Sequence, residues 1–249
     1  MLLRLSSVTL VAALSVNALP ASAQTCGRFA EEQTIATGIG AFSIFATDLD
    51  GDGDADVLSA DYNVNRVMWS ENLGGGVFGS PQPVAPSVSR PYSVYATDLD
   101  GDGDADVLSA NSSSITWFEN LGGGAFGPTQ VITTSASSPR SVYATDLDGD
   151  GDADALFASE NNRNCAWCEN QGGGVFGPKQ VIIDSPSPCW SVYATDLDGD
   201  GDADVLSANL GSITWCENLG GGAFGPTQAI TSSVVFARSV YATDLDGDG

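Results

Sequence analysis

The chain of 249 residues contains no histidine, and only eight of its residues are lysine or arginine. Without histidine, the serine–histidine and cysteine–histidine arrangements of most nucleophilic hydrolases are excluded. The few cations never occur side by side, and nucleic acid recognition depends on lysine and arginine clusters. The sequence therefore predicts neither a histidine-dependent enzyme nor a protein with a nucleic acid partner.

Long apolar runs are absent after the first two dozen residues, so we predict no membrane span in the mature chain. At the N-terminus, residues 1–4 are short and basic and residues 5–19 are mostly apolar. Ala21, Ser22 and Ala23 then offer the small residues that a signal peptidase reads. We predict a signal peptide over residues 1–23, cleavage before Gln24, and a secreted or cell-surface protein. The alternative is an uncleaved anchor, for which the apolar stretch is short.

Cysteines are few and do not form a metal-binding pattern. Cys165 and Cys168 are spaced as C-x-x-C, but no second such pair and no histidine is present to complete a zinc site. Three residues along a strand span about 10 Å, too far for a disulfide between these two. Three interpretations stay open, namely buried thiols, one bridge between distant cysteines, or metal or redox chemistry. The five positions are Cys26, Cys165, Cys168, Cys189 and Cys216.

Acidic residues, by contrast, are abundant and concentrated in one repeated string. Asp-Leu-Asp-Gly-Asp-Gly occurs five times, with starts spaced by 50, 48, 50 and 48 residues. These strings hold 23 of the 32 Asp and Glu residues, so the formal net charge of −24 lies mainly in loops. A fixed period near 50 residues indicates a repeat architecture.

One repeat unit contains four short runs rich in β-forming residues, at residues 93–97, 106–110, 114–119 and 130–133. Runs of this length, bounded by Gly, Asn and Asp, are typical of strands and too short for helices. Four antiparallel strands per unit are typical of a propeller blade. We therefore predict an all-β fold, a β-propeller of four-stranded antiparallel blades with about four blades present. We expect the set to be incomplete, because both ends of the chain carry the same part of the unit.

The predicted organisation follows the repeats. Residues 1–23 are the signal peptide, residues 24–47 are a lead-in with part of a blade, and residues 48–249 are the repeats. Units begin near residues 48, 98, 146 and 196, with a truncated fifth unit at 244. Two aromatic positions recur once per unit, and we expect them to pack between blades. They are Trp69, Trp117, Trp167 and Trp215, and Phe78, Phe126, Phe176 and Phe224.

The acidic string has the spacing of a calcium loop. In the second copy, Asp98, Asp100 and Asp102 occupy positions 1, 3 and 5, and a glycine at position 6 permits a sharp turn. Asp104 at position 7 offers its carbonyl oxygen, and Asp106 at position 9 adds a carboxylate. An EF-hand is excluded, since that loop needs Glu at position 12 and flanking helices. The alternative is a hydrated turn without metal, in which the carboxylates would repel one another.

We predict one Ca²⁺ per complete acidic loop, and no catalytic residue. The predicted metal-binding residues are the aspartates of all five strings: Asp48, Asp50, Asp52, Asp54 and Asp56; Asp98, Asp100, Asp102, Asp104 and Asp106; Asp146, Asp148, Asp150, Asp152 and Asp154; Asp196, Asp198, Asp200, Asp202 and Asp204; and Asp244, Asp246 and Asp248.

These strings resemble the FG-GAP/VCBS repeats of integrin α subunits and of some secreted lectins. The resemblance is carried by D-x-D-x-D-G-x-x-D in each copy and by the string E-N-x-G-G-G-x-F-G, which ends in Phe-Gly, as at Phe126 and Gly127. It implies a β-propeller with calcium in the loop that joins the first two strands of a blade. It also implies that any ligand binds through loops on the opposite face.

Three functions are compatible with these features. The first is a secreted binding or adhesion module for an extracellular protein or glycan, with Trp190 or the turn at residues 111–114 as candidate contacts. The second is a glycan-active enzyme using paired carboxylates, for which Asp61, Glu160 and Asp184 are the candidates that break the repeat symmetry. The third is a structural array within a larger surface protein.

Overall fold

The structure is a computed structural model that describes residues 34–35 and 40–245. The predicted signal peptide, Cys26, Asp246 and Asp248 lie outside the described residues, as does most of the predicted lead-in. Among the described residues, no helix is long and apolar enough to span a membrane.

In the described part of the chain, sixteen strands form four sheets, and each sheet contains four strands that are consecutive in the chain. Blade 1 contains β1 (Ala41–Thr47), β2 (Asp56–Asp61), β3 (Arg66–Ser70) and β4 (Gln82–Pro83). Blade 2 contains β5 (Ser93–Thr97), β6 (Asp106–Ala110), β7 (Ile115–Phe118) and β8 (Gln130–Thr133). Blade 3 contains β9 (Pro139–Thr145), β10 (Asp154–Ser159), β11 (Asn164–Cys168) and β12 (Gln180–Asp184). Blade 4 contains β13 (Cys189–Thr195), β14 (Asp204–Asn209), β15 (Ser212–Cys216) and β16 (Gln228–Thr231).

Neighbouring strands pair antiparallel throughout, which confirms the predicted all-β fold of four-stranded blades. Each blade begins one strand before its acidic loop, because the first strand pairs with the strand that follows the loop. In blade 2, for example, Thr97 and Asp106 face each other across the loop. Every acidic loop therefore lies at the same end of its blade, and the turns between the second and third strands lie at the opposite end.

Three apolar clusters hold consecutive blades together, one each between blades 1 and 2, 2 and 3, and 3 and 4. Trp69, Trp117 and Trp167 are 3–4% exposed and lie within these clusters, as the repeat pattern predicts. Each of the three indole rings meets the Phe-Gly phenylalanine of the next blade edge-to-face, as Trp69 meets Phe126 at 6.3 Å between ring centroids. Among the described residues, no apolar cluster joins blade 4 to blade 1, so the four blades do not close into a ring.

The three consecutive glycines of the E-N-x-G-G-G-x-F-G string form a turn, called here the glycine turn, which explains why the blades approach so closely. Gly124 has a φ of +70°, and a Cβ placed on it would lie 2.5 Å from the Trp69 ring of the preceding blade. Such a contact is far inside van der Waals distance, so no side chain fits there. Gly174 and Gly222 stand in the same relation to Trp117 and Trp167.

The four described cysteines are free and buried, in agreement with the buried-thiol interpretation for these positions. The Cys165 thiol donates a hydrogen bond to Ser207 Oγ at 3.2 Å, within the cluster between blades 3 and 4. The second alternative, a bridge between distant cysteines, is not formed among them.

Candidate metal centres

Each acidic loop is folded around the carboxylate at position 1. In blade 2, Gly101 N donates to Asp98 Oδ1 at 2.7 Å and Gly103 N donates to Asp98 Oδ2 at 3.0 Å. Both glycines have positive φ, a conformation that residues with a Cβ rarely adopt. The same pair of hydrogen bonds recurs at Asp48, Asp146 and Asp196. The glycine spacing of the string thus fixes the first carboxylate of the site.

The carboxylate at position 9 is buried and ties the loop to the sheet. Asp106 Oδ2 accepts from Leu99 N at 2.9 Å, and Asp106 Oδ1 accepts from Asn120 N at 2.7 Å. Leu99 begins the loop and Asn120 follows β7, so this single aspartate joins both. Asp56, Asp154 and Asp204 repeat the arrangement.

Positions 1, 3 and 9 converge in every complete loop. In each group, one carboxylate oxygen per residue lies within 4.8 Å of the other two. The groups are Asp48, Asp50 and Asp56; Asp98, Asp100 and Asp106; Asp146, Asp148 and Asp154; and Asp196, Asp198 and Asp204. Three converging carboxylate oxygens, with no nitrogen or sulfur among them, form a donor set that suits a hard divalent cation such as Ca²⁺.

Positions 5 and 7 lie outside these groups. Asp102 at position 5 accepts a hydrogen bond from Asp104 N at 2.9 Å and is exposed, so its side chain stabilises the turn. Asp52, Asp150 and Asp200 do the same in the other loops. Asp244 is the one described aspartate of the fifth string, whose other predicted ligands lie outside the described residues.

The electrostatics of the loops favour a bound cation. Burial raises the pKa of Asp106 and of Asp154 to about 7, against the lowering effect of their backbone hydrogen bonds. Burial also raises the pKa of Asp56, with neighbouring carboxylates adding to the effect. A buried carboxylate beside others is costly in its charged form unless a cation compensates it.

An asparagine connects each of the first three acidic loops to the next blade. Asn120 Nδ2 donates to Leu49 O of the preceding loop at 2.7 Å and to Ala105 O of its own loop at 3.0 Å. Asn170 and Asn218 repeat this bridge to the two following loops. This asparagine belongs to the E-N string of each repeat, but its bridging role was not predicted, because its partner lies 71 residues away.

The fourth loop is more open than the others. Leu197, at position 2 of that loop, is 40% exposed, whereas Leu49, Leu99 and Leu147 are 1–2% exposed. No asparagine bridge to the Leu197 carbonyl exists among the described residues. A cavity of about 450 Å³ opens beside this loop, between Tyr143 and Tyr193.

Of the candidate contacts on the opposite face, Trp190 and Asn111 are buried, whereas Ser113 of the turn at residues 111–114 is exposed. Trp190 is only 8% exposed, because Arg238 covers its ring at 3.7 Å and Phe236 stacks on it. Asn111 is 2% exposed, and its side chain bonds to Thr116 Oγ1 and Ser109 Oγ. Neither side chain is a free ligand contact.

The three carboxylates considered for catalysis have different surroundings, and Asp184 is exposed. Both Asp61 oxygens are buried without a hydrogen-bond partner among the described residues. Glu160 lies in another blade and is held by Arg140. Burial tends to raise the pKa of Glu160, but Arg140 outweighs it and lowers that pKa overall.

Several solved structures have a similar fold. One is a lectin from Agrocybe aegerita whose title describes recognition of non-reducing terminal N-acetylglucosamine; it is 24% identical, with a TM-score of 0.56, over 76% of this chain and 52% of the lectin. Another is BBS1N in complex with ARL6DN, 14% identical with a TM-score of 0.52, over 76% of this chain and 53% of BBS1N. The chain spans about half the length of these relatives, and at such identities the likeness concerns the fold alone.

Sequence comparison gives the family directly. No curated protein matches the chain significantly. A family model for the FG-GAP-like repeat matches four overlapping segments, at residues 48–109, 98–157, 146–207 and 196–249. These segments contain all four groups of converging carboxylates. The chain therefore belongs to the FG-GAP-like repeat family.

Proposed function

We propose that this is a secreted calcium-binding β-propeller protein that acts as a binding or adhesion module, and that it is not an enzyme. The observation that carries the proposal is the convergence of the same three carboxylates in all four complete loops. Asp48, Asp98, Asp146 and Asp196 would supply the loop-side oxygens, and Asp56, Asp106, Asp154 and Asp204 the oxygens anchored in the sheet.

Calcium bound in these loops would act mainly on stability. Extracellular calcium sites typically have dissociation constants of about 0.1–1 mM. At about 1 mM calcium and a constant near 0.1 mM, each site adds roughly 1.4 kcal/mol to the free energy of unfolding. Four sites then add about 5–6 kcal/mol, comparable with the whole stability of a typical domain.

A binding role, with an extracellular protein or glycan as the partner, is supported by two observations. The fold is similar to that of a lectin, and repeat propellers present their loops as a continuous surface. The carboxylates that break the repeat symmetry lie on the face away from the acidic loops, where a ligand could be recognised without displacing the metal.

An enzyme is less well supported. Glycoside hydrolysis needs two carboxyl groups that share a cleft, one of them with a raised pKa. Asp61 is fully buried, and the pKa of Glu160 is lowered by Arg140. The alternative of a structural array is favoured by the three nearly identical blade interfaces, which need no ligand to explain them.

Calorimetric titration of residues 24–249 with calcium tests the proposal. We expect four sites, and three when Asp98→Asn and Asp106→Asn are combined. Asp184→Asn, which removes an exposed carboxylate outside the loops, is the matched control and should leave the number of sites at four. Absence of calcium uptake at millimolar concentration would refute the metal site, and with it the proposal.

A further inference from the structure

Charge is strongly separated across the molecule. Six basic residues lie in the described part of the chain, and five of them lie at strand ends and turns opposite the acidic loops. These are Arg66, Arg90, Arg140, Arg163 and Arg238. The acidic residues at that end are Asp61, Glu160 and Asp184, and the first is fully buried. Arginines that are scattered in the sequence are thus gathered on one face of a protein whose net charge is −24.

Aromatic rings lie between these arginines. Phe42 and Tyr62 have ring centroids 4.7 Å apart, and Tyr62 lies 5.0 Å from Tyr92. The Arg90 guanidinium is 5.9 Å from the centre of the Tyr62 ring, and that of Arg140 is 3.9 Å from the centre of the Tyr92 ring. Such distances allow cation–π attraction and hold the guanidinium groups in place.

The row continues into blades 3 and 4. Arg140 Nε donates to Glu160 Oε2 at 2.7 Å, and Trp190 Nε1 donates to Glu160 Oε1 at 3.4 Å. Arg238 lies 3.7 Å above the Trp190 ring, which stacks on Phe236 with centroids 6.0 Å apart. We call the aromatic and arginine residues in this chain of contacts the aromatic–arginine row. They are Phe42, Tyr62, Arg90, Tyr92, Arg140, Trp190, Phe236 and Arg238.

The row occupies positions at which the repeats differ. Phe42, Tyr92, Arg140, Trp190 and Arg238 fill one position of the repeat, which holds four residue types in five copies. The residues that follow are nearly invariant, as in the last three copies, where Ser-Val-Tyr-Ala-Thr-Asp-Leu-Asp-Gly-Asp-Gly recurs unchanged. This position therefore holds in every copy a side chain that can stack, either an aromatic ring or a guanidinium group.

We propose that the aromatic–arginine row binds a carboxylate-bearing polysaccharide, an inference that rests on the proposed binding function and names its ligand class. Guanidinium groups pair with carboxylates in a bidentate manner. Exposed aromatic rings offer apolar surface against which the apolar face of a pyranose ring can pack. Phe42 and Phe236 are 59% and 64% exposed and flank the arginines. An acidic peptide would use the cations but not these ring faces.

The structure already contains a carboxylate, that of Glu160, against the Arg140 guanidinium. Glu160 takes two of the five N–H donors of Arg140, one from Nε and one from Nη2. The remaining donors are available to a uronic acid carboxylate, and Glu160 competes with it for the same guanidinium. Glu160 therefore limits the affinity of the row for its ligand.

The test is binding of residues 24–249, saturated with calcium, to immobilised hyaluronan oligosaccharide and to its carboxyl methyl ester. We expect binding to the free acid only, and weaker binding at higher salt. Combined Arg140→Gln and Arg238→Gln should weaken it at least tenfold, since charge-assisted hydrogen bonds are lost. Glu160→Gln should strengthen it, because the competing charge is removed while an acceptor for Trp190 is kept.

Lys179→Gln is the matched control, because it removes the one described cation that lies off this face. Its binding should equal that of the parent chain. Calcium titration and melting curves of every variant show whether the fold and the metal sites are intact. Four titrating sites with no hyaluronan binding would overturn this inference and leave the calcium proposal standing.

Two further outcomes would overturn the inference. Equal binding of the methyl ester would exclude carboxylate recognition. Polyglutamate binding as tightly as hyaluronan, with no loss on combined Phe42→Ala and Phe236→Ala, would assign the row to an acidic peptide.

Discussion

Asp61 shows how one residue can depart from the repeat at a cost. Its counterparts Asn111 and Asn209 accept hydrogen bonds from Ser109 and Ser207. Asp61 has no such partner among the described residues, although its carboxylate is fully buried. Burial raises the pKa of this carboxyl above its ordinary value. The fold is therefore less stable above the ordinary pKa of this carboxyl than it is at low pH.

We expect Asp61→Asn to raise the free energy of unfolding by about 1 kcal/mol at pH 7.5, because a neutral amide replaces a carboxyl whose burial is unfavourable above its ordinary pKa. A carboxyl with a raised pKa stabilises the fold at low pH and ceases to do so as its proton leaves. The increase in the free energy of unfolding on Asp61→Asn should therefore be smaller at pH 5. Urea unfolding at both pH values measures this, and Asn111→Asp should show the opposite sign. Equal stability of parent and variant at pH 7.5 would contradict the argument.

The aspartates at position 9 predict competition between protons and calcium. Asp106 and Asp154 have a pKa of about 7 without metal, and calcium binds the charged form. Calcium affinity should therefore rise between pH 5.5 and pH 7.5 by about tenfold or more at these two sites. In the metal-free protein, the free energy of unfolding changes with pH in the opposite direction to calcium affinity. The raised pKa stabilises the fold at low pH, and that stabilisation is lost as pH rises through 7. Calorimetry at the two pH values measures the first effect, and a pH-independent affinity would rule it out.

At the scale of elements, the glycine turn is the tightest contact between blades. Gly124→Ala places a methyl group 2.5 Å from the Trp69 ring, in addition to straining a backbone with φ of +70°. We expect a loss of about 3 kcal/mol or more, since both overpacking and strain contribute. Gly123→Ala is the matched control, because its φ is +61° but nothing lies within 4 Å of the added carbon. It should cost about 1–2 kcal/mol in the same urea unfolding experiment. Equal losses would show that contact with the tryptophan is unimportant.

The asparagine bridge offers a second test of blade contacts. Asn120→Ala leaves the Leu49 and Ala105 carbonyls without their donor, and we expect a loss of about 1–3 kcal/mol. Asn72→Ala is the comparison, since the described bonds of the Asn72 side chain all lie within blade 1. Thermal unfolding of both variants should show the larger shift for Asn120→Ala. The same shift in both would mean that the bridge between blades contributes little.

Sequence alone predicted most of the elements, because each strand lies between glycine-rich or aspartate-rich turns at a fixed period. It also predicted positions 1, 3 and 9 as ligands. It did not separate them from Asp102 or Asp104, since only the folded loop shows which oxygens converge. The aromatic–arginine row was not predicted, because its contacts join residues about 20–50 positions apart, such as Arg140 and Tyr92. Trp190 was predicted as a candidate ligand contact, but Arg238 of the following repeat covers its ring.

At the scale of the whole molecule, stability should depend on calcium. Chelation with EGTA lowers the free energy of unfolding by about 5–6 kcal/mol if each of four sites contributes about 1.4 kcal/mol. It also leaves buried carboxylates to repel one another. We expect the melting temperature, measured by circular dichroism at a β-sheet wavelength, to fall by at least 10 °C. Magnesium chelation alone, with calcium retained, is the control. An unchanged melting curve in EGTA would contradict a structural role for the ion.

The bridge from each asparagine to the preceding loop spans 71 residues in all three cases. Every interface between neighbouring blades therefore contains the same asparagine hydrogen bond at the same repeat positions, so a unit can form this bond with any other unit. Recombination within the coding sequence that adds or removes one whole unit would leave the new junction as well made as the old ones. Length in such a lineage is free to vary, while the chemistry that joins one repeat to its neighbour stays the same.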